Sequence, residues 1–409
     1  MKIFIGFMNV ASKYTDYYYG LTSMGHEVFT ADYGLPSPIT DSSMESSFNI
    51  SKYTPLQIFS QKDPERQEKI DSFRQNLCAQ VFDFAIRECD IFIFIWQTFI
   101  PGGEDLKVLK SKGKKIIIDF VGSDVRFSDA ARQWGNYYNL PPKPFFKFPD
   151  RELAVKYLRN AEKYADLILG GGDDSMALAL RSFMKVPRFL YFKNIKHNTH
   201  QRLRPLVVHA PSNRGEKGSK YIVDAVEKLK NEGEEFDFEL IENLSHNQAL
   251  DKYREADILI EGLTSVGGGK LHMEGLASGT IVMASFPPNV PYTRMSPVED
   301  IPVINANYTN IYDELKMVIN NYEMRKDISS RTRAYVEEYF DPQRSCKMIL
   351  DSMEDDIPEE MMVNPFFFRD YYQPEEPHIL MLNKYNQYVS NCKWYKEYVK
   401  PGNRAGLIF

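Results

Sequence analysis

The chain has 409 residues, more than one hydrophobic core usually organises, so two domains are expected. Its formal net charge of −6 argues against a nucleic-acid-binding protein, which usually has a basic excess or a basic stripe. No apolar run approaches the ~20 residues of a membrane-spanning helix, and the four cysteines fit neither a zinc site nor a dense disulfide framework. Together these features indicate a cytoplasmic protein with reduced thiols.

The first half of the chain alternates short apolar runs with helical patterns. The predicted strands are KIFIGF (2–7), EVFTA (27–31), DIFIFIW (90–96), KKIIIDF (114–120), ADLILG (165–170) and RFLYF (188–192). Helices are predicted at Tyr14–Leu21, 65–88, 103–112 and 150–164, and a long loop at 34–64. Continuously apolar strands separated by helices are typical of a parallel sheet covered on both faces.

The same alternation restarts after a polar, basic connector at 194–205. The predicted strands of this half are LVVHA (206–210), FDFELIE (236–242), DILIE (257–261) and TIVMA (280–284). Ser245 and Gln248 have the spacing of a capping box at the start of a helix. The pattern therefore predicts an α/β protein with a first domain at 1–193, a second at 206–340 and a C-terminal extension at 341–409.

Three consecutive glycines lie between two predicted strands of the second domain. Gly267, Gly268 and Gly269 follow the strand 257–261 and precede a helix predicted from about Lys270. Ligands of open parallel sheets bind outside the carboxyl ends of the strands, and glycine amides with a helix N-terminus can hold an anion there. The segment fits a diphosphate site, and it fits a mobile linking loop equally well.

A second candidate loop, HAPSNRGEKGSKYI (209–222), follows the first strand of the same domain. Arg214 and Lys217 lie beside the start of a predicted helix, where two cations suit phosphate oxygens. A solvated basic turn is the alternative. Both loops are expected at the same edge of the same sheet, which favours the diphosphate site over the two separate alternatives.

Glu274 lies one turn into the helix that follows the glycines. A carboxylate at this place can accept hydrogen bonds from the hydroxyls of a ribose, as acidic residues do in nucleotide sites. The alternative is a surface glutamate favoured by the helix dipole. The flanking sequence LHMEGLASG is apolar, which argues against a fully solvated face.

Three segments resemble the donor-binding domain of retaining glycosyltransferases of family 4 (glycosyl transferases group 1). They are KGSKYIVDAVEKL, EADILIEGL and GGGKLHMEGLASGTIVMAS. In that family a KG motif opens the first helix, and an E-(A/G)-x-A-x-G motif follows a glycine loop. RTRAYVEEYFDPQ (331–343) is similar to the family's late helix, whereas the first domain shows only the short segments MGHEV (24–28) and VGSDVR (121–126).

The resemblance implies the GT-B fold, in which two Rossmann-like domains have parallel sheets facing a central cleft. It also implies that the extension at 341–409 packs back on the first domain. In the catalytic centre, Lys217 and Arg214 would hold the donor diphosphate and Asp124 would lie near the acceptor or the reacting sugar. The implied acceptor-side residues are Gly6 and Asn9, and the implied donor-binding residues are Ser212, Asn213, Glu242, Gly267, Gly268, Gly269, Lys270, Leu271 and Glu274.

The expected function is transfer of a sugar, with retention, from a nucleoside-diphosphate sugar to a glycan, lipid-linked or other hydroxyl acceptor in surface polysaccharide or glycoconjugate synthesis. No metal site and no cofactor are expected. The aromatic and basic segments KPFFKF (143–148) and NPFFFRDYY (364–372) suit either domain packing or peripheral contact with a membrane.

Two positions depart from the family pattern. Val266 and Val121 stand where many members carry a glutamate and a histidine, and Glu261 lies too far from Glu274 to match the missing glutamate. A nucleotide-sugar sensor or inactive subunit is therefore one alternative function. A nucleotide-sugar epimerase on the same fold is the other.

Overall fold

A computed structural model describes residues 1–32, 46–50, 64–122, 124–126, 151–170, 176, 179–184, 186, 188–199, 201–264, 267–286, 301–354 and 362–363. Val266 and the segments 143–148 and 364–372 lie outside the described residues. Within the described part of the chain, no helix has the length and apolar character needed to cross a membrane.

The first half of the chain forms most of an eight-stranded sheet in the order β13-β7-β6-β5-β4-β1-β2-β3. Its edge strand β13 comes from the C-terminal segment. Its strands are β1 Lys2–Phe7, β2 Glu27–Asp32, β3 Phe48–Asn49, β4 Ile91–Ile95, β5 Lys115–Phe120, β6 Leu167–Gly170, β7 Phe183–Met184 and β13 Met362–Val363. The helices are α1 Lys13–Ser23, α2 Pro64–Glu88, α3 Asp105–Ser111 and α4 Arg151–Tyr164, with a 3₁₀ turn at Val10–Ser12. All paired strands are parallel except β13, which is antiparallel to β7.

The second half forms an all-parallel five-stranded sheet in the order β12-β11-β10-β8-β9. Its strands are β8 Leu206–His209, β9 Asp237–Leu240, β10 Ile258–Ile260, β11 Ile281–Ala284 and β12 Val303–Asn305. Its helices are α5 Arg214–Lys217, α6 Ser219–Asn231, α7 His246–Glu255, α8 Lys270–Ser278, α9 Ile311–Ile319 and α10 Tyr322–Tyr339. The capping box of Ser245 and Gln248 is confirmed at the start of α7.

Apolar side chains cover both faces of each sheet. In β1, Ile3 and Ile5 pack into one buried cluster with α1, whereas Phe4 packs into a second cluster on the other face. Alternate residues of a strand point to opposite faces, so a continuous apolar run is what a doubly covered sheet requires. The prediction of parallel sheets enclosed by helices is confirmed.

The segment 188–192 is not a strand, and that prediction was wrong. Phe189 packs into the first domain's core, and Leu190 and Phe192 pack into the second domain's core. The Leu190 amide donates to the Phe340 carbonyl at 2.9 Å, outside either sheet. These apolar residues are buried because the chain crosses between two cores, and side-chain burial of this kind needs no strand partner.

The chain returns to the first domain through α11 (Pro342–Asp351), which packs on α1. Cys346, Ile349 and Leu350 of α11 share a buried cluster with Tyr17 and Leu21 of α1. The two helices approach closely at Gly20, where an added Cβ would lie 2.6 Å from both Cys346 Sγ and the Pro342 carbonyl oxygen.

We therefore predict that Gly20→Ala lowers the free energy of unfolding by about 1–3 kcal/mol, because the new methyl group forces two packed backbones apart. Chemical denaturation measures the change. Gly215→Ala is the matched control, since its Cβ would meet Asn213 Oδ1 only at 3.4 Å. Equal stability of Gly20→Ala and the natural protein would contradict the close packing of α11 on α1.

Candidate functional site

The two loops predicted to bind a diphosphate leave the same edge of the second sheet, as expected. β8 and β10 are parallel neighbours, with Val208 opposite Leu259. From β8 the chain passes to β9 on one side and then to β10 on the other, so the strand order reverses between β8 and β10. A reversal of this kind opens a crevice at the carboxyl ends of the two strands, where ligands of open α/β sheets bind.

A buried glutamate joins the two loops inside this crevice. Glu261 directly follows β10, and its Oε1 accepts hydrogen bonds from Lys217 Nζ at 3.0 Å and from the Gly269 amide at 3.0 Å. The Glu261 side chain is 1% exposed, whereas that of Lys217 is 23% exposed. Lys217 therefore lies between the buried carboxylate and the solvent.

Burial by itself raises the pKa of Glu261, because desolvation penalises the carboxylate. The Lys217 ammonium and the hydrogen bonds from Lys217 and Gly269 oppose this effect, and the net result is a lowered pKa. Glu261 is therefore an anion at neutral pH. Its Oε2 is buried and has no hydrogen-bond partner among the described residues.

Two glycines leave room for the side chains of Lys217 and Glu261: Lys217 packs against Gly262, and Glu261 packs against Gly269. A Cβ at Gly262 would lie 2.7 Å from Lys217 Cδ, and a Cβ at Gly269 would lie 2.9 Å from Glu261 Oε1. Real Cβ atoms are almost never this close to another heavy atom. Any larger residue at either position would displace the ion pair.

The glycine loop is only partly available to an anion. The Gly267 amide donates to the Ser285 carbonyl at 2.7 Å, and the Gly269 amide is held by Glu261. Among the described residues no acceptor contacts the Gly268 amide. Helix α8 begins at Lys270 with no side-chain cap, so its positive end faces this loop, as predicted.

Arg214 lies at the exposed rim of the site. Its Nε donates to Glu242 Oε1 at 2.7 Å, and its Nη2 pairs with Glu242 Oε2. The Arg214 side chain is 61% exposed, so the pair is weakly held. Asn213 caps α5 by accepting from the Glu216 amide, and Ser212 is exposed beside it.

Two buried histidines near the crevice are neutral at pH 7. His209 contacts the Ile260 carbonyl and Ser219, and burial lowers its pKa to about 4. His272 contacts the Gly269 carbonyl and packs against Phe286 and Phe340, and burial likewise lowers its pKa to about 4. Both side chains fix the local packing and add no charge to the site.

Glu274 is buried, which excludes the solvated surface position. Its Oε1 lies 2.8 Å from His246 Nε2 of α7. Leu271, also predicted to bind the donor, is half-buried one turn before it. The carboxylate of Glu274 is therefore held by a side chain of the neighbouring helix α7.

Lys270 points toward the first domain. Its Nζ lies 2.7 Å from Asp16 Oδ2 and 3.4 Å from the Ser12 carbonyl oxygen. The other carboxylate oxygen of Asp16 accepts from the Tyr191 amide at 2.7 Å. The start of α8 is thus tied to the start of α1, which follows the carboxyl end of β1.

The predicted residues of the first domain lie on the matching edge of its sheet. Gly6 is the penultimate residue of β1, and Asn9 follows that strand and accepts a hydrogen bond from the Tyr14 amide at 3.0 Å. Asp124 follows β5, and its two carboxylate oxygens accept from the Val121 amide at 3.1 Å and the Gly122 amide at 2.8 Å. Asp124 therefore shapes its own loop.

Sequence reasoning missed the partners of several site residues. Glu261 was set apart only as an unmatched acid, and neither His246 nor Asp16 was singled out. Lys13 and Tyr17 also meet at one carboxylate, since both contact Asp119 Oδ2, at 2.5 Å and 2.8 Å respectively. The described residues contain no group of three or more His, Cys, Asp or Glu side chains that could hold a metal ion.

No protein-family model and no curated protein sequence matches the chain. Solved structures do. An alpha-glucosyltransferase in complex with UDP-glucose and DNA containing an abasic site is 11% identical, with a TM-score of 0.57 over 87% of this chain and 100% of that one. HepE from Anabaena, in complex with UDP and glucose, is 11% identical, with a TM-score of 0.52 over 87% of this chain and 99% of that one.

A third structure, TarM, is 12% identical over 69% of this chain with a TM-score of 0.47, and the chain spans 58% of TarM's length. Likenesses at such identities establish the fold alone. The chain has the GT-B fold, with two Rossmann-like domains, and that prediction is confirmed. Its structural neighbours are glycosyltransferases.

The burial of Asp124 generates a prediction about pH. Burial raises its pKa to about 6, although hydrogen bonds from Val121 and Gly122 oppose the shift. The folded state then binds more protons than the unfolded state between pH 4 and 6, so stability falls as pH rises through this window. Between pH 4 and 7 the free energy of unfolding of Asp124→Asn should decrease by about 2–3 kcal/mol less than that of the natural protein. Urea denaturation at a series of pH values measures the difference.

Asp105 provides a parallel case, because burial also raises its pKa to about 6. Asp105→Asn should flatten the same pH window, and the double variant should flatten it further. If Asp124→Asn kept the natural pH dependence, the buried position of its carboxylate would be wrong.

Proposed function

We propose that the protein transfers a sugar from a nucleoside-diphosphate sugar to a hydroxyl acceptor, with retention of anomeric configuration. The observation that carries this proposal is that Lys217 and the Gly269 amide meet at Glu261, beside the start of α8, at the strand-order reversal of the second sheet. A cation, a glycine amide and a helix N-terminus at such a crevice suit the diphosphate of a nucleotide donor.

The chemistry of transfer fits these groups. As the bond between the sugar's anomeric carbon and the phosphate oxygen breaks, negative charge develops on the diphosphate and positive charge on the sugar ring. Lys217 and the positive end of α8 stabilise the leaving diphosphate, and Arg214 can swing from Glu242 to join them because that pair is exposed. In this proposal protein cations take the role that a metal ion has in other enzymes.

The acceptor's oxygen forms the new bond to the anomeric carbon, and its proton passes to the leaving phosphate. The proposed mechanism therefore needs no separate protein base. The buried Glu274 would accept hydrogen bonds from the ribose of the donor, while His246 contacts Oε1 of the same carboxylate. UDP-sugars are the first donors to test, because two of the matching structures hold UDP-glucose or UDP with glucose.

The first-domain residues Gly6, Asn9 and Asp124 would line the acceptor side. The Lys270–Asp16 contact supports this arrangement, since it joins the donor-side helix to the helix that follows Asn9. We propose a glycan or lipid-linked acceptor of surface polysaccharide or glycoconjugate synthesis. The proposal includes peripheral contact of the protein with a membrane that holds a lipid-linked acceptor.

The activity is tested by incubating the protein with UDP-, GDP- and ADP-sugars and measuring nucleotide release with and without candidate acceptors. The proposal predicts acceptor-stimulated release from one donor class and a product that keeps the donor's anomeric configuration. Binding without turnover would instead support a nucleotide-sugar sensor. Inversion at C2 of the sugar would support an epimerase.

We predict that Lys217→Ala weakens nucleoside-diphosphate binding by at least ~1.5 kcal/mol, the loss of one charge-assisted contact. Isothermal titration calorimetry with UDP, GDP and ADP measures the change, and thermal melting checks that the variant folds. Lys252→Ala is the matched control, because Lys252 lies on α7 and pairs with Glu239 of β9 at 2.9 Å, outside the two loops that carry Lys217 and the glycines. Unchanged affinity in Lys217→Ala would remove Lys217 from the site.

A further inference from the structure

We propose that Glu261 is a positioning residue of the donor site, whose carboxylate fixes Lys217 against the glycine loop and limits how tightly the leaving diphosphate is held. This inference rests on the proposed function and deepens it. It assigns to the donor site a buried negative charge that opposes the charge of the substrate.

The positioning role follows from the contacts of one oxygen atom. Glu261 Oε1 accepts from Lys217 Nζ and from the Gly269 amide, each at 3.0 Å. These two donors come from the loops that follow β8 and β10, so one carboxylate sets the distance between the cation and the glycine loop. The missing side chains at Gly262 and Gly269 leave the space that this contact requires.

Lys217 can keep this contact while it binds a phosphate. A lysine ammonium has three N–H donors, and Glu261 uses one of them in the structure. The Lys217 side chain is still 23% exposed while it makes this contact. Glu261 can therefore orient Lys217 in the donor-bound protein as well as in the free protein.

The charge of Glu261 needs an explanation beyond hydrogen bonding. A neutral amide oxygen would accept the same two bonds, without the free energy that burying a carboxylate costs. The second oxygen, Oε2, is buried and has no hydrogen-bond partner among the described residues. A negative charge directly behind Lys217 weakens the field that a diphosphate experiences at the crevice.

The consequence for a transferase is faster release of the product. Tight binding of both the donor and the nucleoside diphosphate would leave the product in the site, and product release limits many enzymes. A partly neutralised lysine still stabilises the diphosphate during bond cleavage. It holds the free product less firmly than an unpaired lysine would.

A Glu261 that limits diphosphate affinity and a Glu261 that only supports the fold respond differently to loss of the negative charge. If Glu261 only supports the fold, then loss of its charge should weaken ligand binding or leave it unchanged. If Glu261 lowers the affinity of the site for diphosphates, then Glu261→Gln should bind them more tightly, because Gln keeps the acceptor oxygen and removes the charge.

The experiment compares the natural protein with Glu261→Gln and Glu261→Ala in calorimetric titrations with UDP and with inorganic pyrophosphate. We expect Glu261→Gln to bind both probes about tenfold more tightly, as removal of one partly screened charge near the ligand predicts. In the transfer assay its kcat should fall, and stopped-flow measurement should show slower UDP release. Glu261→Ala, which also loses the positioning contacts, should bind both probes more weakly than Glu261→Gln.

Glu239→Gln is the matched control, since it removes a carboxylate that pairs with a lysine at 2.9 Å in the same domain. It should leave both affinities unchanged. Thermal melting checks that each variant folds. If Glu261→Gln does not fold, the comparison of Glu261→Asp with Glu261→Asn repeats the charge test, and the Asn variant should be the tighter binder.

Each outcome decides either the inference or the proposed function. Unchanged or weaker binding of UDP and pyrophosphate by folded Glu261→Gln would overturn the role of Glu261 and leave the proposed transfer standing. Tighter pyrophosphate binding without transfer from any nucleotide sugar would support the role of Glu261 and overturn the transferase. Failure of the natural protein to bind either probe would overturn both.

Discussion

The buried carboxylate of Glu261 is the constraint on which the arrangement of the second domain's crevice depends. A carboxylate that is removed from water has to find a cation and hydrogen-bond donors nearby, or it becomes protonated. Lys217 and the Gly269 amide meet this requirement, and they come from two loops that are separate in sequence. The parallel pairing of β8 with β10 brings these loops together, and the glycines at 262 and 269 let them close.

The surrounding groups are consistent with this requirement. His209 and His272 are buried beside the crevice and stay neutral, so they do not compete with Lys217 for the charge of Glu261. Arg214 has its own acid at the exposed rim, Glu242. The inner cation is therefore held in one orientation, whereas the outer cation can move. This difference suits a site that fixes the diphosphate at its inner end and admits the donor past its rim.

Helix α8 connects the crevice of the second sheet to the first domain. Its N-terminus faces the glycine loop, Glu274 in its second turn contacts His246, and Lys270 in its first turn pairs with Asp16. Asp16 also binds the Tyr191 amide in the segment where the chain crosses between the two cores. A shift of α8 on ligand binding would therefore reach the helix after β1 and the crossing segment together. These contacts join the crevice of the second sheet to the first domain.

Much of this could be predicted from the sequence, because strands and helices leave periodic patterns. The two-domain alternation, the helix from Lys270 and the common sheet edge of the two loops all follow from such patterns. The partners of the site residues do not, since Lys217 and Glu261 are 44 residues apart and Asp16 and Lys270 are 254 apart. Residues 188–192 have the apolar character of a strand, yet their burial comes from two different cores. Spacing in sequence cannot distinguish those origins of burial.

The central claim is that Lys217, held by Glu261, binds the diphosphate of a nucleotide donor at the carboxyl ends of β8 and β10. A crystal structure of the protein with bound UDP tests it most directly. The account predicts phosphate oxygens within hydrogen-bond distance of Lys217 Nζ and the Gly268 amide, with Glu261 Oε1 still in contact with Lys217. A diphosphate bound elsewhere, or a Lys217 side chain that has left Glu261 and points away from the phosphates, would contradict it.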